Sequence, residues 1–93
     1  MPIGVWGQRR KRYLIEHRKE LYAELLTSGK LNGYLKELDE QAQDMFSWLV
    51  QQMADREGVT ERLNADDQMA WVGRMNSIRG RARETVNNVF IYN

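Results

Sequence analysis

The sequence predicts an all-α fold: an antiparallel three-helix bundle with long amphipathic helices and a short irregular N-terminal lead-in. Apolar residues recur at spacings of three and four along most of the 93-residue chain, with no alternating strand pattern, hairpin turn or internal repeat. One proline and 29% charged residues lean the composition towards helix. The length suits a single domain, residues 1–93, able to bury a core without disulfide or metal staples.

Residues 1–7, MPIGVWG, hold two glycines and a proline and read as a lead-in anchored by Trp6. A first helix is expected over about 8–28, stopped by Gly29. Its apolar residues Leu14, Ile15, Leu21, Tyr22, Leu25 and Leu26 fall within an arc of about 140° at 100° per residue. Asn32 is the expected N-cap of a second helix over 33–57, stopped by Gly58. Leu31, Leu35, Leu38, Ala42, Met45, Leu49 and Met53 give it a coiled-coil-like seam, with Phe46 alongside. Thr60 is expected to cap a short turn through Leu63.

Asp66 is expected to start a third helix, 66–91, with Asp67 near its positive end. Trp71, Val72, Met75, Ile78, Ala82, Val86, Val89 and Phe90 share one side of it. Gly73 and Gly80 lie on the other side, each costing up to about 1 kcal/mol against alanine. They mark either a close backbone approach or tolerated positions, and tolerance is the simpler account. Trp48 at the edge of its stripe and Met69 outside its own are expected to pack at the rim of the core, with a partner face as the alternative.

The net charge of +1 conceals a basic, acidic, basic order. Residues 1–30 carry seven Lys/Arg against three Glu, residues 31–70 three against nine Asp/Glu, and residues 71–93 four Arg against one Glu. The absence of cysteine excludes disulfides and cysteine nucleophiles and fits a cytoplasmic location. No apolar run approaches the ~20 residues of a membrane span, and the N-terminus lacks a signal-peptide core.

The basic run QRRKRYLIEHR, residues 8–18, admits two readings: a grip on phosphate or a solvated helix end. Arg9, Arg10, Lys11 and Arg12 stand near the expected helix N-terminus, where the macrodipole disfavours cations, so an outside anion is their better rationale. Tyr13 or Trp6 is placed to stack on a base or sugar. Arg81 and Arg83 in the third helix join the same set, while Arg74 belongs to the same basic segment. Arg18 and Arg79 fall inside the apolar arcs of their helices and are expected to pair internally with acids of the middle helix.

A helix-turn-helix around LYAELLTSGKLNGYLKEL is disfavoured: Leu25 is too large for a tight crossing, and the acids of KELDEQAQD would repel DNA. His17, the single histidine, has no thiol partner, and no phosphate-cradling glycine loop is present. No cofactor or metal is called for. Asp39, Glu40, Asp44, Asp66 and Asp67 would have to converge to hold a hard cation, which their spacing does not require.

Three segments, PIGVWGQRRKRYLIEHR, LLTSGKLNGYL and GVTERLNADDQMAWVGRMNSIR, resemble the transposon-encoded TnpV family in order and spacing, from about Pro2 to Tyr92. Members often carry an extension ahead of the PIG-x-WG opening, which here follows Met1 directly, so properties resting on that extension are not carried over. The resemblance implies a bacterial mobile element, often near a large site-specific recombinase, and supplies no catalytic residues. The resulting expectation is a non-enzymatic accessory protein that contacts DNA phosphates through Arg9, Arg10, Lys11, Arg12, Arg81 and Arg83. The alternative is a helical interaction module that docks on a recombinase or another element-encoded protein, or forms a homodimer, without DNA. A metal-dependent enzyme is the third and weakest reading. Whether the two basic ends share one face discriminates the first two.

Overall fold

The computed structural model describes residues 3–93, and among them every regular element is helical. The elements are α1 (Val5–His17), α2 (Lys19–Thr27), α3 (Leu31–Glu57), α4 (Glu61–Asp66) and α5 (Gln68–Val86), closed by a π-helical turn, Asn87–Ile91. The all-α expectation holds, but five helices and a π-turn stand where three helices were expected. The first two positions of the expected lead-in lie outside the described residues.

Helix α3 is the spine. Leu31, Leu35, Leu38 and Ala42 are buried along its first half and Ala54 near its end, as the seam predicts. Its contacts with α1 run in opposite chain directions: Trp6 meets Gln43 and Phe46, Gly7 meets Leu35 and Asp39, and Arg10 meets Tyr34. Helix α5 runs back along the other half, joining Met75 and Ile78 to Ala54 and Val59, and Val86 to Ala42. The molecule is therefore long, 55 × 24 × 18 Å.

Local signals set the stops. Gly58 takes the left-handed conformation (φ 70°), and Val59 N–H bonds back to Ala54 O at 2.9 Å, ending α3 in a Schellman-type cap sealed by buried Val59. Gly29 (φ 75°) ends α2 the same way, with Lys30 N–H on Leu25 O at 3.0 Å. The Thr60 hydroxyl accepts from Leu63 N–H to cap α4, and the Asp67 carboxylate accepts from Ala70 N–H to cap α5.

Four boundaries differ from the sequence expectation. Helix α1 begins inside the expected lead-in, at Val5, where one first-turn donor finds a partner on another helix: Asp39 of α3 accepts from Gly7 N–H at 2.9 Å. Arg18 leaves helical geometry (φ −135°, ψ 56°) where its guanidinium reaches the Asn93 main-chain oxygen, dividing the expected first helix in two. Helix α3 starts at Leu31 without a side-chain cap, so Asn32 does not cap it. Asp66 ends α4 instead of starting α5.

Gly7 and Gly80 occupy opposite environments. An added Cβ at Gly7 would overlap the Ile3 side chain and stand 3.0 Å from Leu35 O, so this glycine lets α1 lie against α3. A Cβ at Gly73 or Gly80 would meet nothing within 4 Å, which makes both simply tolerated. Gly7→Ala is therefore expected to destabilise by about 1–3 kcal/mol through overpacking. Gly80→Ala should stabilise by up to about 1 kcal/mol through helix propensity. Thermal or denaturant unfolding of the two variants checks both signs.

Candidate nucleic-acid interface

The basic run folds into α1, where a spacing of 100° per residue sends neighbouring cations to different sides. Arg10 goes inward. It is only 4% exposed, the one buried charge among the described residues. Its guanidinium donates to Ile91 O at 2.7 Å, Asn93 main-chain O at 3.0 Å and the Tyr34 hydroxyl at 3.1 Å, and lies 5.6 Å from the Tyr13 ring centre. The reading of Arg10 as a solvent-facing phosphate ligand is thus corrected. A position beside the apolar stripe brought it to the last turn of the chain, whose carbonyls form the negative end of a helix.

Arg9, one residue earlier, lies over the Trp6 ring at 5.2 Å and donates to Asn87 Oδ1 at 3.4 Å. Trp6 itself is buried, with its indole N–H on Gln43 Oε1 at 3.2 Å, so it offers no face to a base. Arg12 is exposed on the outer side of α1, and Lys11 is half-buried on the side away from Arg9. These residues also stand one turn further into the helix than the sequence implied, since α1 starts at Val5 and Asp39 supplies negative charge to its first turn. The dipole argument for an outside anion weakens accordingly.

On α5 the arginines divide again. Arg81 forms a two-pronged ion pair with Glu57 at 2.8 and 2.9 Å, which holds the Glu57 carboxyl below its usual range and raises Arg81. Arg81 thus has an acidic partner on the spine helix, in a pair that stays partly exposed. Arg83, two residues on, points to nearly the opposite side of the helix and is exposed. Arg83 stands one turn before Asn87, the residue that receives Arg9, so Arg83 and Arg9 share a flank. Arg79 precedes Arg83 by one turn on the same flank, exposed rather than internally paired as expected. Arg18 is exposed too, and its partner is the Asn93 main-chain oxygen at 3.0 Å, not an acidic side chain.

Arg9 and Arg12 of α1 therefore approach Arg83 and Arg79 of α5 through the Arg9–Asn87 contact, with Arg81 turned away. Among the described residues no acidic side chain lies within 4.0 Å of any of these four guanidinium groups. Beside them, Tyr13 touches His17 (ring centres 4.9 Å apart) and Tyr92 (5.7 Å, edge-on). Arg9, Arg12, Tyr13, Glu16, His17 and Tyr92 line a groove of about 270 Å³. The sequence had singled out Tyr13 but not Tyr92, whose arrival depends on the π-turn.

The other sequence candidates are scattered. Asp39 serves α1 and Asp67 caps α5, and among the described residues no group of three His, Cys, Asp or Glu is placed to hold a metal ion. Among the described residues no helix is long and apolar enough to cross a membrane. Trp48 (60% exposed) and Met69 (84%) lie at the surface, not at the rim of the core. Helix α2 follows Arg18 with Leu21, Tyr22 and Leu25 half-buried and Leu26 exposed, and buries no side chain fully, so the tight crossing of a helix-turn-helix is not made.

A family model described as transposon-encoded protein TnpV matches residues 1–91. No curated protein and no solved structure matches the chain.

Arg10→Ala would strand one buried and two part-buried acceptors and is expected to cost about 3 kcal/mol, given that unpaired buried groups cost about 1–3 kcal/mol and more for bonds to charge. Arg10→Lys should recover little, because an ammonium cannot span the fork of acceptors. Urea unfolding of both variants measures the difference.

Proposed function

The chain belongs to the transposon-encoded TnpV family, and on that premise we propose that it is a non-enzymatic accessory protein of a bacterial mobile genetic element, working in the cytoplasm by contacting DNA phosphates. The contacts are assigned to Arg9, Arg12 and Arg83, with Arg79 extending the row. The observation that carries this reading is the contact between the two basic segments at Arg9 and Asn87, with Arg12, Arg83 and Arg79 exposed around it and, among the described residues, no acidic side chain within 4.0 Å of the four guanidinium groups. Phosphate contacts of this kind give affinity without reading sequence, which suits a protein that accompanies a recombinase instead of replacing it. Lys11 lies on the far side of α1 and contributes only through the long-range field.

Replacing Arg9, Arg12 and Arg83 together by alanine should weaken duplex binding and flatten its salt dependence, by about 0.9 in log–log slope for each phosphate no longer neutralised. Arg81→Ala should leave both unchanged, since that side chain is engaged by Glu57. Anisotropy titrations at two salt concentrations read both variants, and unchanged binding by the triple variant removes the proposal.

A second reading, self-association or docking on a recombinase or another element-encoded protein, draws on α2. Its Leu26 is 54% exposed and none of its nine residues is fully buried, an unusual state for a helix with three leucines and a tyrosine. On that reading the solution mass rises with concentration, and Leu25→Glu with Leu26→Glu returns it to the monomer value by sedimentation or light scattering. A constant monomer mass rules out the self-association branch.

A further inference from the structure

We propose that the groove between α1 and Tyr92 receives one unpaired nucleotide of a single-stranded nucleic acid, its base stacked on Tyr92 and its phosphates held by Arg9 and Arg12. The inference rests on the phosphate reading above and narrows its ligand.

Three features of the groove point this way. Tyr92 is 55% exposed, yet the chain around it is fixed. Its N–H bonds to Asn87 O at 3.0 Å, Ile91 before it is fully buried, and the Asn93 main-chain oxygen after it is held by both Arg10 and Arg18. An exposed aromatic ring on a pinned backbone is a platform, because little ordering remains to be done when a ligand arrives.

Tyr13 is clamped in turn. Arg10 lies over its ring, His17 packs beside it, and the Tyr13 and Tyr92 rings meet at 62°, an edge contact that leaves Tyr92 55% exposed. The groove volume of about 270 Å³ falls just below the lower limit of small-molecule pockets, about 300 Å³, and suits a single flat ring.

The cations complete the chemistry. Arg9 and Arg12 line the same groove, so an anion attached to the stacked ring falls between two guanidinium groups. Bases in a duplex are already stacked and cannot use the Tyr92 face, whereas an unpaired base gains about 5- to 150-fold in affinity from one such contact. Glu16 is the one acid in the groove, 3.8 Å from His17 Nε2, and its charge opposes the phosphate.

The test is an anisotropy titration of the full chain with labelled oligothymidylate, oligouridylate and a duplex, each of about 15 nucleotides, a length spanning the usual single-strand site sizes. Single strands are expected to bind about tenfold more tightly than duplex. Tyr92→Ala should abolish that preference, Tyr92→Phe should preserve it, and Glu16→Gln should tighten all three ligands. Circular dichroism of the Tyr92 variants separates loss of stacking from loss of fold. Tighter binding of either single strand than of duplex supports the inference, since both carry unpaired bases on a phosphate backbone. Single-strand binding no tighter than duplex, or unaltered by Tyr92→Ala, overturns the inference and leaves the phosphate reading standing. No binding to any of the three overturns both.

Discussion

One buried guanidinium ties the beginning of this chain to its end. Removing a cation from water is expensive, and Arg10 does so without an acidic side chain as partner. Its charge is balanced by main-chain oxygens at the negative end of the last helical turn, by the Tyr34 hydroxyl and by the ring of Tyr13. That arrangement fixes α1 against both the spine helix and the π-turn. The positions of Arg9, Tyr13, Tyr92 and Asn93 all follow from it. Among the described residues no buried side-chain polar atom is left without a partner, so the network is closed.

The acidic middle of the chain has a structural use that net charge alone conceals. Asp39 accepts from the first turn of α1, where a negative charge is favoured and Gly4 and Gly7 leave room for it. Glu57, near the other end of the same helix, engages Arg81. The spine helix thus holds its neighbours with one carboxylate towards each end. Asp39 and Glu57 are thus spent on α1 and on Arg81, and neither pairs with Arg79, Arg83, Arg9 or Arg12.

What was legible in the sequence was what local pattern controls. The seam of Leu31, Leu35, Leu38 and Ala42, the stops at Gly29 and Gly58 and the cap at Thr60 all depend on residues within a few positions of one another. What escaped depends on contacts between distant parts. Arg10 finds acceptors 81 and 83 residues away, and Gly7 finds its acceptor 32 residues away, so no window of sequence contains either pair. Even so, Arg10 left a trace. A cation beside an apolar stripe has to be used, and the error lay in placing its partner outside the molecule. Arg81 and Arg83 left a clearer one, since two helical residues two positions apart do not face the same way.

The π-turn converts this packing into a surface. An α-helical continuation past Val86 would carry each later side chain about 100° further per residue, whereas the wider turn advances each one by less and shifts the register of Asn87–Ile91. In that register Ile91 is buried, Asn87 meets Arg9, and Tyr92 comes up beside Tyr13. Single-turn π segments are retained mostly where they position something, because they sacrifice regular helical geometry. Here the segment sets an exposed ring next to the guanidinium groups of Arg9 and Arg12, and Arg10 and Arg18 lock it in that register. The two pairs of arginines therefore divide the work: Arg10 and Arg18 hold the platform, and Arg9 and Arg12 charge it.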